Sequence, residues 1–158
     1  MDVVSQTEAA LADYERDFVA WALDQAARLR MAGDGTIDKL DWLNLAEEIE
    51  ALAKRDRREL ASHIGVAAEH LMKLMASPAI DPRLGWSESI VRARGEIALI
   101  LADSPSLVGA LPDMVERMLA RARKNVGSGL SQHGETPRVP LDALIYTPEQ
   151  ITGDWWPA

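Results

Sequence analysis

The chain has no cysteine. That excludes disulfides, thiolate nucleophiles, thiolate zinc sites and iron–sulfur ligation at one stroke, and it fits a reducing compartment. Aromatic residues are scarce as well, at 5% of the sequence, and five of those eight are tryptophan. No stretch approaches 18 uncharged apolar residues, so no membrane-spanning helix is expected. The start, MDVVSQTEAALADYERDF, has acids where a secretory signal carries a basic region. The expected location is cytoplasmic.

Positive charge is in short supply too: 17 Lys and Arg face 25 Asp and Glu, a formal net charge of -8. This balance favours solubility and works against non-specific binding to a phosphate backbone. Glycine and proline gather at plausible joints. A chain of 158 residues with such punctuation reads as a single helical domain over residues 1–158.

What is present is helical period. Leu11, Tyr14, Phe18, Trp21, Gln25 and Leu29 step by threes and fours along residues 8–32, and Gly33 and Gly35 stop that helix. Asp41 caps the next element. Trp42, Leu45, Ile49, Leu52, Leu60, Ile64, Ala67, Leu71 and Leu74 then trace one face up to Ser77. The pattern predicts one long helix of about 35 residues, about 50 Å at 1.5 Å per residue, with a bend near Asp56 or Gly65 as the alternative.

A third helix is predicted to start between Pro82 and Ser87. Trp86, Ile90, Ile97 and Leu101 form its buried side, and Ala93, Gly95 and Ala98 its close contacts. Ser104 caps a short turn opened by Pro105, and a fourth helix covers about residues 112–127. Residues 130–158 read as a loop, a short helix and a tail. In TPEQI, Thr147 and Gln150 make a capping box with Pro148 at the first position. Trp155 and Trp156 are too apolar to be left wet, so the tail is expected to dock on the body or on a partner subunit. The fold class is therefore all-α: an up-and-down bundle of about four main helices, the second very long, with a short C-terminal helix and docked tail.

The stretch KRDRRELASH, residues 54–63, offers the most chemistry. Arg58 and His63, with four residues between them, resemble the arginine–histidine spacing of metal-independent ribonucleases of HEPN type. There, histidine moves a proton at the ribose hydroxyl and arginine stabilises charge on the phosphate. Asp56 or Glu59 would orient the ring. Against this, five helical steps turn the two side chains some 140° apart. Glu50–Lys54 and Arg55–Glu59 pairs explain the same letters as a solvated face.

Glu59 and His63 stand at ligand spacing, but His70 lies about 10.5 Å further along. Neither a paired Glu-x-x-His nor a His-Glu-x-x-His occurs, so neither a metal nor a cofactor is expected. A metal would need carboxylates from the first helix, such as Asp17 or Asp24. His70 is expected to pack its ring and donate to a carboxylate. Glu47 and Glu50 are expected to accept from Arg28 or Tyr14. Arg121, Arg123 and Lys124, with Arg92 or Arg94, form the one basic patch for nucleic acid, but no aromatic interleaving supports stacking.

Several segments together resemble a known family. YERDFVAWALDQAARLR, DWLNLAEEIEAL, RRELASHIGVAAEHLMKLM, LADSPSL and the IYTPEQI–W tail are similar to the bacterial and cyanobacterial family called domain of unknown function 29. The resemblance runs over about residues 10–156. It implies an all-helical fold and no particular activity, substrate or cofactor. By position Tyr14, Asp17, Phe18, Trp21, Asn44, Glu47, Glu48, Glu50 and His70 match its recurrent pattern. His63 stands where that family carries a basic residue such as arginine, which weakens the pairing with Arg58. LMKLMAS lacks a tryptophan found there in relatives.

These readings favour a non-catalytic helical interaction or structural domain, joined to a protein partner or to its own copy. The alternative is a ribonuclease-like or metal-dependent hydrolase working through His63 and His70, with Arg58, Glu59 and Glu47 as further candidates.

Overall fold

A computed structural model describes residues 13–32 and 41–157. These are largely helical, with no strand among the described residues. The main elements are α1 (Phe18–Ala32), α2 (Trp42–Ala76), α3 (Arg83–Asp103), α4 (Leu111–Gln132) and α5 (Pro148–Thr152). A 3-10 turn, Pro105–Ala110, links α3 to α4, and another, Leu141–Ala143, lies before α5. Two compact units result: Met1–Glu59 with Ile100–Val108, and Leu60–Leu99 with Gly109–Ala158.

In the first unit a single turn over residues 13–16 precedes α1. Asp17 marks the break, and its Oδ1 accepts from the Ala20 amide at 2.8 Å, which caps α1. Residues 8–12 and the Gly33–Gly35 stop lie outside the described residues. The buried line differs from the expected stripe by one position. Val19, Ala22 and Ala26 are buried, whereas Phe18, Trp21, Gln25 and Leu29 are half-buried. Alanine methyls permit the closest packing, so the rings are displaced to the edge. There Tyr14 sits edge-on to Phe18 and Trp21, with centroids 5.7 and 4.8 Å away.

The 35 residues of α2 are one helix, as the apolar pattern predicts. Asp41 caps it by accepting from the Asn44 amide at 3.2 Å. Near its start the same displacement recurs: Ala46 and Ala53 are buried, while Leu45 and Leu52 are 41% and 37% exposed. Further along, in the second unit, Leu60, Ile64, Leu71 and Met72 are fully buried and supply large-residue packing. Gly65 is an ordinary helical residue there.

On α3, Ile90, Ala93 and Ile97 are buried as expected, but Trp86 and Leu101 are half-buried. Gly95 and Ala98 are exposed rather than close-packed. The fourth buried residue is Arg94. Ser104 serves as more than a local cap, since its hydroxyl accepts from the Val19 amide at 3.2 Å.

The end of α4 corrects the expected 112–127. Gly127 and Gly129 stay helical, and α4 runs on to Gln132, closed by Gly134, whose φ of 65° is the left-handed conformation glycine favours. The amide of Glu135 reaches Leu130 O at 2.8 Å and that of Gly134 reaches Ser131 O at 3.1 Å, a Schellman ending. The following segment is held by arginines: the Arg138 amide donates to Ala76 O at 2.7 Å, and Arg123 donates to the carbonyls of Leu141 and Leu144. The capping box at Thr147 and Gln150 is present, and it starts α5 where Ile151 is fully buried.

Candidate functional site

Of the five residues singled out for chemistry, two bond within α2, two are exposed and one is half-buried. Arg58 Nε donates back to Lys54 O at 3.2 Å, one turn away on α2. His70 Nδ1 lies 2.9 Å from Val66 O; a carbonyl only accepts, so that nitrogen carries the proton. Its partner is thus its own helix and not the expected carboxylate. His63 is half-buried, and Glu47 and Glu59 are exposed. Burial pushes the Asp56 carboxyl above its ordinary value; Arg55 opposes the shift, and Glu59 and Asp103 add to it.

The ion pairs redistribute the expected partners. Glu50 takes both Lys54, at 2.9 Å, and Arg30, and their hydrogen bonds lower its pKa. Arg28, expected to serve Glu47 or Glu50, donates instead to Asp24 at 2.6 Å. Arg55 approaches Asp56 at 3.9 Å rather than Glu59. Among the described residues no three His, Asp or Glu side chains gather closely enough to hold a metal ion. Asp17 is committed as a cap: besides Ala20 it accepts from the Ser106 amide and hydroxyl, the latter at 3.0 Å.

The second unit contains a built feature that sequence reasoning missed. Arg94 is only 8% exposed, and its guanidinium fork meets three main-chain carbonyls. Nε donates to Ile151 O at 3.0 Å; Nη2 donates to Gln150 O at 2.7 Å and Trp155 O at 2.6 Å. The Trp156 ring lies 5.2 Å from the guanidinium carbon, within cation–π range. Burial pulls the Arg94 pKa below its ordinary value and Asp154 pulls the other way; an arginine stays charged through such a shift. Tyr146 is buried beside Trp155, with ring centroids 5.7 Å apart. The tail is therefore docked on its own unit by a charged clamp.

The clamp leaves part of the tail outside. Trp156 remains 41% exposed and, with Ser87, Glu88, Val91 and Arg92, lines a shallow hollow of about 420 Å³ on α3. Along the same face Leu84, Val91 and Leu99 are 72%, 59% and 62% exposed. Their spacing, with Glu88 and Gly95 between them, is that of one side of a helix. A Cβ built on Gly95 would meet nothing within 4 Å, so this ridge has an open notch between Val91 and Leu99. Of the residues weighed for a basic patch, Arg94 and Arg123 both donate to main-chain carbonyls.

Among the described residues no single helix is long and apolar enough to cross a membrane. The fold is similar to that of an alpha-helical protein of unknown function from Rhodospirillum rubrum, with a TM-score of 0.71 and 22% identity over 88% of each chain. No curated protein matches the chain. Residues 14–156 match the model of the domain of unknown function DUF29, and the chain belongs to that family.

Proposed function

We propose that this chain is a non-catalytic helical interaction module, and that its partner is a second copy of itself. The observation that carries this reading is the ridge Leu84–Glu88–Val91–Gly95–Leu99, three of whose members are large, apolar and more than half exposed. Large apolar groups aligned on one helix face cost free energy in water and gain it when covered.

The spacing of the ridge is self-complementary. Two α3 helices laid antiparallel about an axis between Val91 and Arg92 bring Leu84 against Leu99 of a second copy. Glu88 falls against the other copy's Gly95 notch, one turn from its Arg92. A two-fold interface needs this kind of palindrome, in which each residue meets its own complement. Trp156, fixed beside Val91 by the Arg94 clamp, widens the apolar patch with the residue type most enriched at interface centres.

Light scattering on the full chain, with Val91→Lys beside it, tests the proposal. A dimer that becomes a monomer in the variant at unchanged helical content supports it. A wild-type chain that stays monomeric across the concentration range ends it.

A further inference from the structure

A second feature of the Leu60–Leu99 and Gly109–Ala158 unit is a cavity of about 390 Å³, distinct from the ridge on α3. Its size falls within the range of small-molecule sites. Pro82, Trp86, Val126 and Leu130 give it apolar walls. None of Arg58, His63, His70, Glu59 or Glu47 lines it.

The polar rim holds two basic side chains, Lys73 and His133, and one carboxylate, Glu135. Lys73 is on it, but its ammonium is 2.7 Å from Glu69, so that positive charge is matched within the chain. Glu135 is on it too, and among the described residues no cation pairs with its carboxylate. That carboxylate is held in place twice. The Schellman ending of α4 fixes its backbone, and the hydroxyl of Ser77, itself 2% exposed, donates to Oε2 at 3.0 Å. A fixed, uncompensated carboxylate beside an indole and an apolar wall selects one ligand chemistry: a cationic head on a hydrocarbon body.

We propose that this cavity binds a small organic amine with an apolar body, its ammonium paired with Glu135 and its hydrocarbon packed against Trp86. The site does not depend on self-association, and it can be occupied in monomer or dimer alike.

Calorimetry and proton–nitrogen NMR on the full chain test it with a matched pair of probes, phenylbutylamine and phenylbutanoate. The amine binds saturably and shifts the Trp86 indole signal, identified by its loss in Trp86→Phe, whereas the acid binds at least about tenfold more weakly. Glu135→Gln keeps the shape and removes the charge, and it weakens the amine about tenfold or more. Gly129→Leu serves as a filling variant. Gly129 lines the cavity, and a Cβ built there meets nothing within 4 Å, so a larger side chain has room to start from the helix and take up space at the cavity wall. It abolishes amine binding at an undiminished unfolding midpoint. Equal or tighter binding of the acid, amine binding that survives Gly129→Leu, or no saturable amine binding to the wild type each overturns the proposal.

Discussion

The guanidinium of Arg94 lies 5.2 Å from the centre of the Trp156 ring, and the same group holds the carbonyl of the preceding residue, Trp155. One buried cation thus fixes both the path and the face of the C-terminal tail. Removing it leaves three carbonyls without their donor and opens a gap beneath the indole. Arg94→Ala is expected to cost about 3 kcal/mol in urea unfolding, with the tail becoming the first site of proteolytic cleavage. Arg94→Lys restores charge but not the planar fork, and recovers only part of the loss.

Tyr146 supplies a pH signature. Burial pushes its phenol up to about 12, and among the described residues its hydroxyl has no hydrogen-bond partner. Unfolding frees the group to ionise at its ordinary value near 10. The folded chain therefore holds the proton more tightly. Its contribution is whole below pH 10 and disappears as pH rises from about 10 to about 12, about 2–3 kcal/mol in all. Tyr146→Phe is expected to flatten that fall and to be neutral or slightly stabilising at pH 7. Denaturant titrations of both chains at pH 8 and at about pH 12 give the difference.

Gly65 gives a prediction of opposite sign. It sits inside the unbroken α2, and an added Cβ meets Met118 Sδ at 3.5 Å, an ordinary contact. Gly65→Ala is expected to raise stability by about 0.5–1 kcal/mol through reduced backbone freedom in the unfolded chain. A lower thermal midpoint in calorimetry would count against the unbroken α2 described above.

Asp17 caps α1 and also ties Ser106 to it, two duties for one carboxylate. Asp17→Ala should lose about 1–2 kcal/mol, and Asp17→Asn, which keeps one acceptor oxygen, noticeably less. Chemical unfolding of the two variants side by side separates the cap from simple loss of charge.

The legible part of the fold was what depends on local rules. The long α2, the start of α3 near Pro82, the 3-10 turn after Ser104 and the capping box at Thr147 all follow from periodicity and end chemistry close in sequence. The end of α4 shows where such rules compete. Gly127 and Gly129 look like a stop, but a helix continues through glycine when tertiary packing holds it, and the true signal was the glycine in HGE, seven residues before Leu141 in the polar segment. The buried stripes near the N-terminus were displaced because large apolar residues were read as the core. The closest-packed positions instead belong to alanine.

The site was less legible for a different reason. Arg94 answers carbonyls 56, 57 and 61 positions away. Nothing local distinguishes it from Arg92, which is exposed. Trp86 and Glu135 likewise come to line one cavity only through the folded chain. By contrast Arg58, His63 and His70 stood out because their types are reactive, and type alone does not assemble a site. Asp17 and Glu50, which match the family's recurrent pattern by position, are both engaged in contacts within the fold.

Ala22, Ala26, Ala46 and Ala53 are each no more than 1% exposed. A methyl that fully occupied leaves no margin for growth, because added carbons must push backbones apart or adopt poor rotamers. In a saturation library these four positions should sort substitutes by volume before polarity: glycine and serine pass, leucine fails despite its oiliness. Selection acting on this half of the chain would then look like a ceiling on size, imposed at positions where a hydropathy plot sees nothing unusual.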